Sequence, residues 1–270
     1  MTAQVDVGTR APSLVLLPAV LAVALLVLPL IALLTQASWG TLWADVTSPQ
    51  ALQALGLSLR TGLLATVLCT LLGVPLALLI ARSSPHVAQV LRALVAVPLV
   101  LPPMVGGVAL LLLFGRTSGI GQLLEQFWGF TLPFSTAAVV MAQMFVALPF
   151  LVLTVEGTLR TSGAAYEQTA ATLGAGRWMV LTRISLPLAA PGLLAGMILC
   201  FARALGEFGA TALFAGNAPG RTQTMPLAIY TAFNGAGAGR ESAVALSLLL
   251  LAAAVLVLVC LRAWRPGALK

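Results

Sequence analysis

The stretch YEQTAATLGAGRWMVLTRISLP, Tyr166 to Pro187, decides how the rest of this chain is read. It is polar, lies between two long apolar segments, and carries Gly174 thirteen positions before Pro187. Residues Ser162 to Leu173 favour a helix: Ser162 is placed to cap it, and Ala164, Ala165, Ala170 and Ala171 are strong helix formers. Tyr166, Ala170 and Leu173 recur at i, i+4 and i+7 and share one face. Gly174 and Gly176 then break the run, and Arg177 to Ile184 starts a second helical turn leading into Pro187. This predicts a short helix, a glycine elbow and a re-entry. The apolar face of such a helix needs a partner, either lipid headgroups or a cleft on a soluble protein, since helix-in-groove recognition is a common docking mode.

The surroundings of the insert are those of a membrane protein. Sixty per cent of the 270 residues are hydrophobic and 8% are charged, against about 25% charged in a soluble domain. Apolar runs near twenty residues match the ~30 Å hydrocarbon core. The ten-residue alternation of a transmembrane barrel is missing, so the expected fold class is an all-α membrane protein. The net charge of +7 sits on basic residues scattered singly, without the aromatic-interleaved patch of a nucleic-acid surface. Cys69, Cys200 and Cys260 fall inside apolar runs and read as small buried hydrophobes. With one histidine, His86, and no CxxC spacing, neither a metal site nor a disulfide framework is supported.

Six spans are predicted: about Leu14–Leu34, Leu57–Ala81, Val90–Phe114, Ser135–Val155, Leu188–Phe214 and Ala243–Leu261. The first is longer than the ~7–15-residue core of a secretory signal. With the N-terminus inside, Arg10, Arg82, Arg92, Arg160, Arg177, Arg183, Arg262, Arg265 and Lys270 fall on the cytoplasmic side. Arg60, Arg116, Arg221 and Arg240 fall outside. Nine against four places both termini, and the polar insert, in the cytoplasm. The organisation expected is a tail, first span and outer loop over 1–56, a core over 57–264 and a cytoplasmic tail over 265–270.

Prolines and glycines punctuate the spans. Pro98, Pro102, Pro103, Gly106 and Gly107 predict a kinked or broken third span, whose freed carbonyls must face protein or a wet cavity. Pro102 and Gly106 are therefore candidates for lining a path, with a structural kink as the alternative. Pro149, and Pro191 with Gly192, carry the same argument more weakly. In the outer loop, Pro226–Phe233 is apolar but too short to span, and reads as a re-entrant or interfacial helix with Thr224 at its cap.

Arg203 and Glu207 are ionisable residues inside the fifth span, each costing roughly 2.5–3.5 kcal/mol at a helix centre. Four apart, they share a face and can pair. The pair either fixes packing or borders a translocation path, where Glu207 softens the field of Arg203. Ala202, Ala204, Gly206, Gly209 and Ala210 make this span a contact helix.

The insert also resembles the signature loop of ABC importer permeases: Glu-Ala-Ala, three residues, Gly, nine residues, Ile, one residue, Leu-Pro. Gly174, Ile184, Leu186 and Pro187 keep that spacing, whereas Gln168 and Thr169 replace the first two motif residues and Glu167 offers an acid one position early. SLRTGLLATVLCTLLGVPLALLIAR, from Ser58, is similar to the start of the permease core. FARALGEFGATALFAGNAPGRTQTMPLAIYTAF, Phe201 to Phe233, looks like the molybdate-type branch and less like the sulfate/thiosulfate branch. The resemblance implies a type I ABC importer permease fold with six transmembrane helices and a cytoplasmic coupling helix. It also implies a coupling loop made by Tyr166, Glu167, Gln168, Ala170, Leu173, Gly174, Ile184 and Pro187. Two ATPase subunits holding ATP and Mg, a second permease copy, an extracytoplasmic oxyanion-binding protein and membrane lipid follow as partners, with no cofactor on this chain. The chain has no GxxxxGK[ST] loop, so nucleotide must sit elsewhere. A motor-independent transporter would show several intramembrane carboxylates, and an intramembrane enzyme a nucleophile–base pair; neither set is present.

Overall fold

The computed structural model of the chain describes residues 13–162, 164–235 and 239–263. Arg10, Arg265, Lys270 and the 265–270 tail lie outside the described residues, as do the side chains of Ser162, Cys260 and Arg262. The described residues form thirteen α-helices: α1 Ser13–Thr35, α2 Leu42–Val46, α3 Pro49–Arg82, α4 Pro85–Val100, α5 Pro103–Phe114, α6 Gly119–Trp128 and α7 Thr136–Ser162, followed by α8 Ala164–Thr172, α9 Arg177–Val180, α10 Leu186–Leu205, α11 Gly209–Phe214, α12 Met225–Phe233 and α13 Gly239–Ala263. A π-helical turn, Leu181–Ser185, joins α9 to α10. Five continuous segments are long and apolar enough to cross a membrane, and α4 with α5 forms a sixth, bent by 108°.

That bend has a local cause. Leu101 and Pro102 each precede a proline, which disfavours the α region. Both are extended, with ψ of 133° and 132°. The helix must stop at Val100, and Pro103 restarts it at a position where its missing N–H costs nothing. Pro98, Pro149 and Pro191 stay inside helices. The fifth span ends earlier than predicted. α10 stops at Leu205, Gly206 to Phe208 interrupt it, and α11 begins at Gly209.

The centre of the molecule is α3, α7 and α10 packed side by side, with Ala65, Cys69, Ala77, Ala147, Leu151, Cys200 and Ala204 in one buried cluster. Small side chains let the backbones approach: Cys69 Sγ lies 3.7 Å from the Met144 carbonyl oxygen. A second cluster joins α5, α7 and α11 through Leu110, Val139, Val146, Ala210 and Phe214. The two glycines of α5 serve this packing. A Cβ on Gly107 would stand 2.8 Å from the Ala210 carbonyl oxygen, whereas one on Gly106 would meet the Phe145 ring at 2.7 Å. Backbone cannot yield as a ring can. Gly107→Ala is expected to destabilise the protein by about 2 kcal/mol and Gly106→Ala by less than about 1 kcal/mol, read as melting-temperature shifts of the detergent-solubilised chain.

Helix α12 takes the place predicted for the outer short helix, but its setting differs from a helix resting on headgroups. Met225, Leu227 and Ala232 are buried, and the helix packs between α3 and α13 against Ala51, Ala54, Ala243 and Leu246. Thr224 holds the cap position without making the cap bond; Ser58 of α3 accepts the Met225 N–H at 2.7 Å instead. Helices α2 and α6 had no counterpart in the sequence reading. In α6, Ser118 accepts the Gly121 N–H and Gly129 closes the far end in the left-handed region.

Candidate functional site

The insert between α7 and α10 folds as an elbow. Helix α8 ends in two reciprocal bonds: the Gly174 N–H donates to the Ala171 carbonyl and the Ala175 N–H to the Ala170 carbonyl, both at 3.0 Å. This is the Schellman arrangement, which needs a left-handed residue. Gly174 supplies it with φ +83°, and nothing lies within 4 Å of where its Cβ would be. The glycine is therefore required by backbone conformation and not by crowding. Ser162, expected to cap this helix, is instead the last residue of α7.

The elbow presents its apolar residues outward. Tyr166, Leu173 and Trp178 are 65%, 83% and 76% exposed, with Ala170 on the same face. Ile184 lies in the π-helical turn and Pro187 in the first turn of α10. Pro187 has no N–H, and its ring would clash with the Arg183 carbonyl in a regular helix. Widening the preceding turn relieves that clash. Gln168 lines a groove with Arg82, Ala171, Ala175 and Arg177.

Glu167 points the other way. Its Oε1 lies 3.2 Å from Arg82 Nη2 at the end of α3 and accepts the Ser185 hydroxyl at 2.5 Å. The early acid is thus engaged within the chain by Arg82 and Ser185.

The pathway candidates meet at the two helix breaks. Arg203, in the last turn of α10, places Nη2 2.6 Å from Glu207 Oε2. Glu207 is 1% exposed, and its other oxygen accepts the Ala210 N–H at 2.8 Å, closing the start of α11. A Cβ on Gly209 would meet Pro103 and Met104 at 3.1–3.2 Å. The interruption of the fifth span therefore abuts the α4–α5 bend, with Pro102 exposed at that bend and Gly106 buried against Phe145.

Sequence reasoning missed Glu156. It is buried on α7, where Oε1 accepts Arg92 Nε and Nη2 at 3.2 and 2.9 Å, with Arg160 Nη1 at 3.5 Å. An acid one residue beyond a predicted span, with arginines at both Arg92 and Arg160, was the available signal. Ser185, inside the signature spacing, was passed over because a lone serine in a polar insert carries none.

An all-helical membrane subunit with a protruding elbow is the class these features define. Over residues 73–266 the chain matches the family described as binding-protein-dependent transport system inner membrane component. It is 51% identical over 222 residues to the molybdenum transport system permease protein ModB of Mycobacterium tuberculosis, covering 82% of this chain and 84% of the relative. The ModB of Escherichia coli K12 is 39% identical over 78% of this chain and 92% of its own length. The sulfate transport system permease protein CysT of the same organism is 35% identical over 76% and 75%. Among solved structures, the bacterial alginate ABC transporter in complex with an alginate pentasaccharide-bound periplasmic protein is similar, with a TM-score of 0.72 at 16% identity over 92% of this chain and 91% of that one. The chain belongs to the family of inner-membrane permeases of binding-protein-dependent ABC importers. It is a multi-pass transmembrane subunit that works with an ATPase and a binding protein, and ATP hydrolysis is not its own task.

Proposed function

We propose that this chain carries molybdate, with tungstate as a chemically equivalent cargo, across the inner membrane by alternating access. It works as a homodimer on two ATPase subunits, fed by an extracytoplasmic oxyanion-binding protein, with both termini in the cytoplasm. The observation that carries the cargo is the 51% identity, over most of both chains, to a relative named as a molybdenum permease. The orientation is supported by the gathering of Arg82, Arg160 and Glu167 around one cleft beside the elbow, since basic residues concentrate on the cytoplasmic side.

In this reading ATP-driven closure of the motor pair brings the two elbows together and opens the cavity outward, and hydrolysis resets it. Arg203 lowers the cost of shedding water for a tetrahedral dianion, and its pairing with Glu207 keeps the anion from being held too long. The 35% identity to a sulfate permease favours a second reading in which sulfate is the cargo. The deciding measurement is ATPase stimulation in the reconstituted complex with binding protein and each of molybdate, tungstate and sulfate. Stimulation by the first two alone is expected; stimulation by sulfate alone would transfer the chain to the second reading.

A further inference from the structure

Three separate elements converge under the elbow. Arg82 ends α3, Glu167 lies in the first turn of α8, and Ser185 closes the π-helical turn that feeds α10. Arg82 Nη2 stands 3.2 Å from Glu167 Oε1 and donates to Ser185 Oγ at 2.9 Å, while Ser185 Oγ donates to the same carboxylate oxygen at 2.5 Å. Every member touches the other two. The triangle is also satisfied in sign: the guanidinium donates twice, the carboxylate only accepts, and the serine accepts once and donates to the carboxylate, with the Val180 carbonyl as a longer second acceptor at 3.3 Å. Apart from it, α8 packs chiefly on α9 and the π-helical turn, and only lightly.

An isolated pair as open to solvent as Arg82 and Glu167 adds little stability. Its value lies in where it is tied. The wide turn forced ahead of Pro187 turns Ser185 inward, where it is 2% exposed, so the sequence feature that re-enters the membrane also builds the tie. From Ser185 the chain runs without interruption to Arg203. Arg82 belongs to α3, the helix packed along α7 and α10.

We propose that Arg82, Glu167 and Ser185 form a clasp that makes a displacement of the elbow a joint displacement of α3 and α10. They are positioning residues, and the proposal rests on the docking reading of the elbow. Without the clasp α8, held otherwise only lightly by α9 and the π-helical turn, would swing on Gly174, and the stroke would be lost as local bending.

The test uses the complete complex in proteoliposomes, with anion accumulated and ATP hydrolysed measured together. Glu167→Gln, Arg82→Gln and Ser185→Ala are each expected to co-purify the ATPase in normal amounts and keep hydrolysis, while anion moved per ATP falls about fivefold, within the range for residues on a coupling network. The exchange Arg82→Glu with Glu167→Arg is expected to recover most of the ratio, which a residue needed only for folding would not do. An unchanged ratio in Glu167→Gln, or loss of ATPase capture in that variant, would overturn the clasp. Failure of the docking reading would show separately, as undiminished capture by a Gly174→Pro chain, and would overturn both.

Discussion

Gly174→Pro is expected to abolish capture of the ATPase while the permease still inserts in normal amounts. Proline holds φ near −65°, but the elbow needs φ +83° at this position. The substitution also deletes the N–H that donates to the Ala171 carbonyl at 3.0 Å. Both changes act on the same turn, so the chain beyond Leu173 leaves in another direction and the exposed Trp178 is no longer presented as it is in the elbow. Nothing lies within 4 Å of the missing Cβ, so the damage stays in the elbow and the packed helices keep their contacts. Gly174→Ala separates conformation from donor loss: it retains the N–H and costs about 1–2 kcal/mol for the left-handed residue, so capture should weaken without vanishing. The measurement is co-purification of the ATPase with tagged permease, normalised to permease yield. Full capture by the proline variant would remove the elbow from the interface.

The second large effect is an asymmetry between Glu207 and Arg203. Glu207→Ala removes the partner of Arg203 and the acceptor of the Ala210 N–H together, leaving a cation without a counter-ion beside a buried helix start. The buried Ala210 N–H left without an acceptor costs about 1–3 kcal/mol, to which the lost pairing of Arg203 adds, so yield and melting temperature of this variant should fall. Arg203→Ala leaves a carboxylate that still accepts the Ala210 N–H. Its side chain is 25% exposed, against 1% for Glu207. Assembly is therefore expected to survive, while uptake falls on the order of tenfold, the effect of about 1.4 kcal/mol on the translocation barrier. Normal uptake by Arg203→Ala at normal protein levels would make the pair a packing device alone.

Much of this architecture is legible residue by residue, because lipid imposes strong local rules. An apolar run must be helical to satisfy its own backbone, and two successive prolines must break a helix wherever it sits, as they do at Pro102 and Pro103. Gly174 is read correctly for the same reason: a left-handed residue after a run of alanines is a local demand. The interruption at Gly206–Phe208 was not legible, since Leu188 to Phe214 is uniformly apolar apart from the ion pair. Glu207 ends α10 by turning its carboxylate to the next helix's N–H, and no hydropathy window registers that choice. Helix α6 was missed because its ten residues are too few and too mixed to count as a span.

Composition and local backbone chemistry alone set the number of spans, the position of the elbow and the bend in the third span, since each follows from groups within one or two helical turns. Partners distant in sequence lay beyond that reach. Ser58 caps a helix 167 positions later, Glu167 closes on Arg82, 85 positions earlier, and Glu156 of α7 takes Arg92 from α4. A buried polar group takes whichever partner the packed helices bring within about 3 Å, and that distance exists only once α3, α7 and α10 have come together.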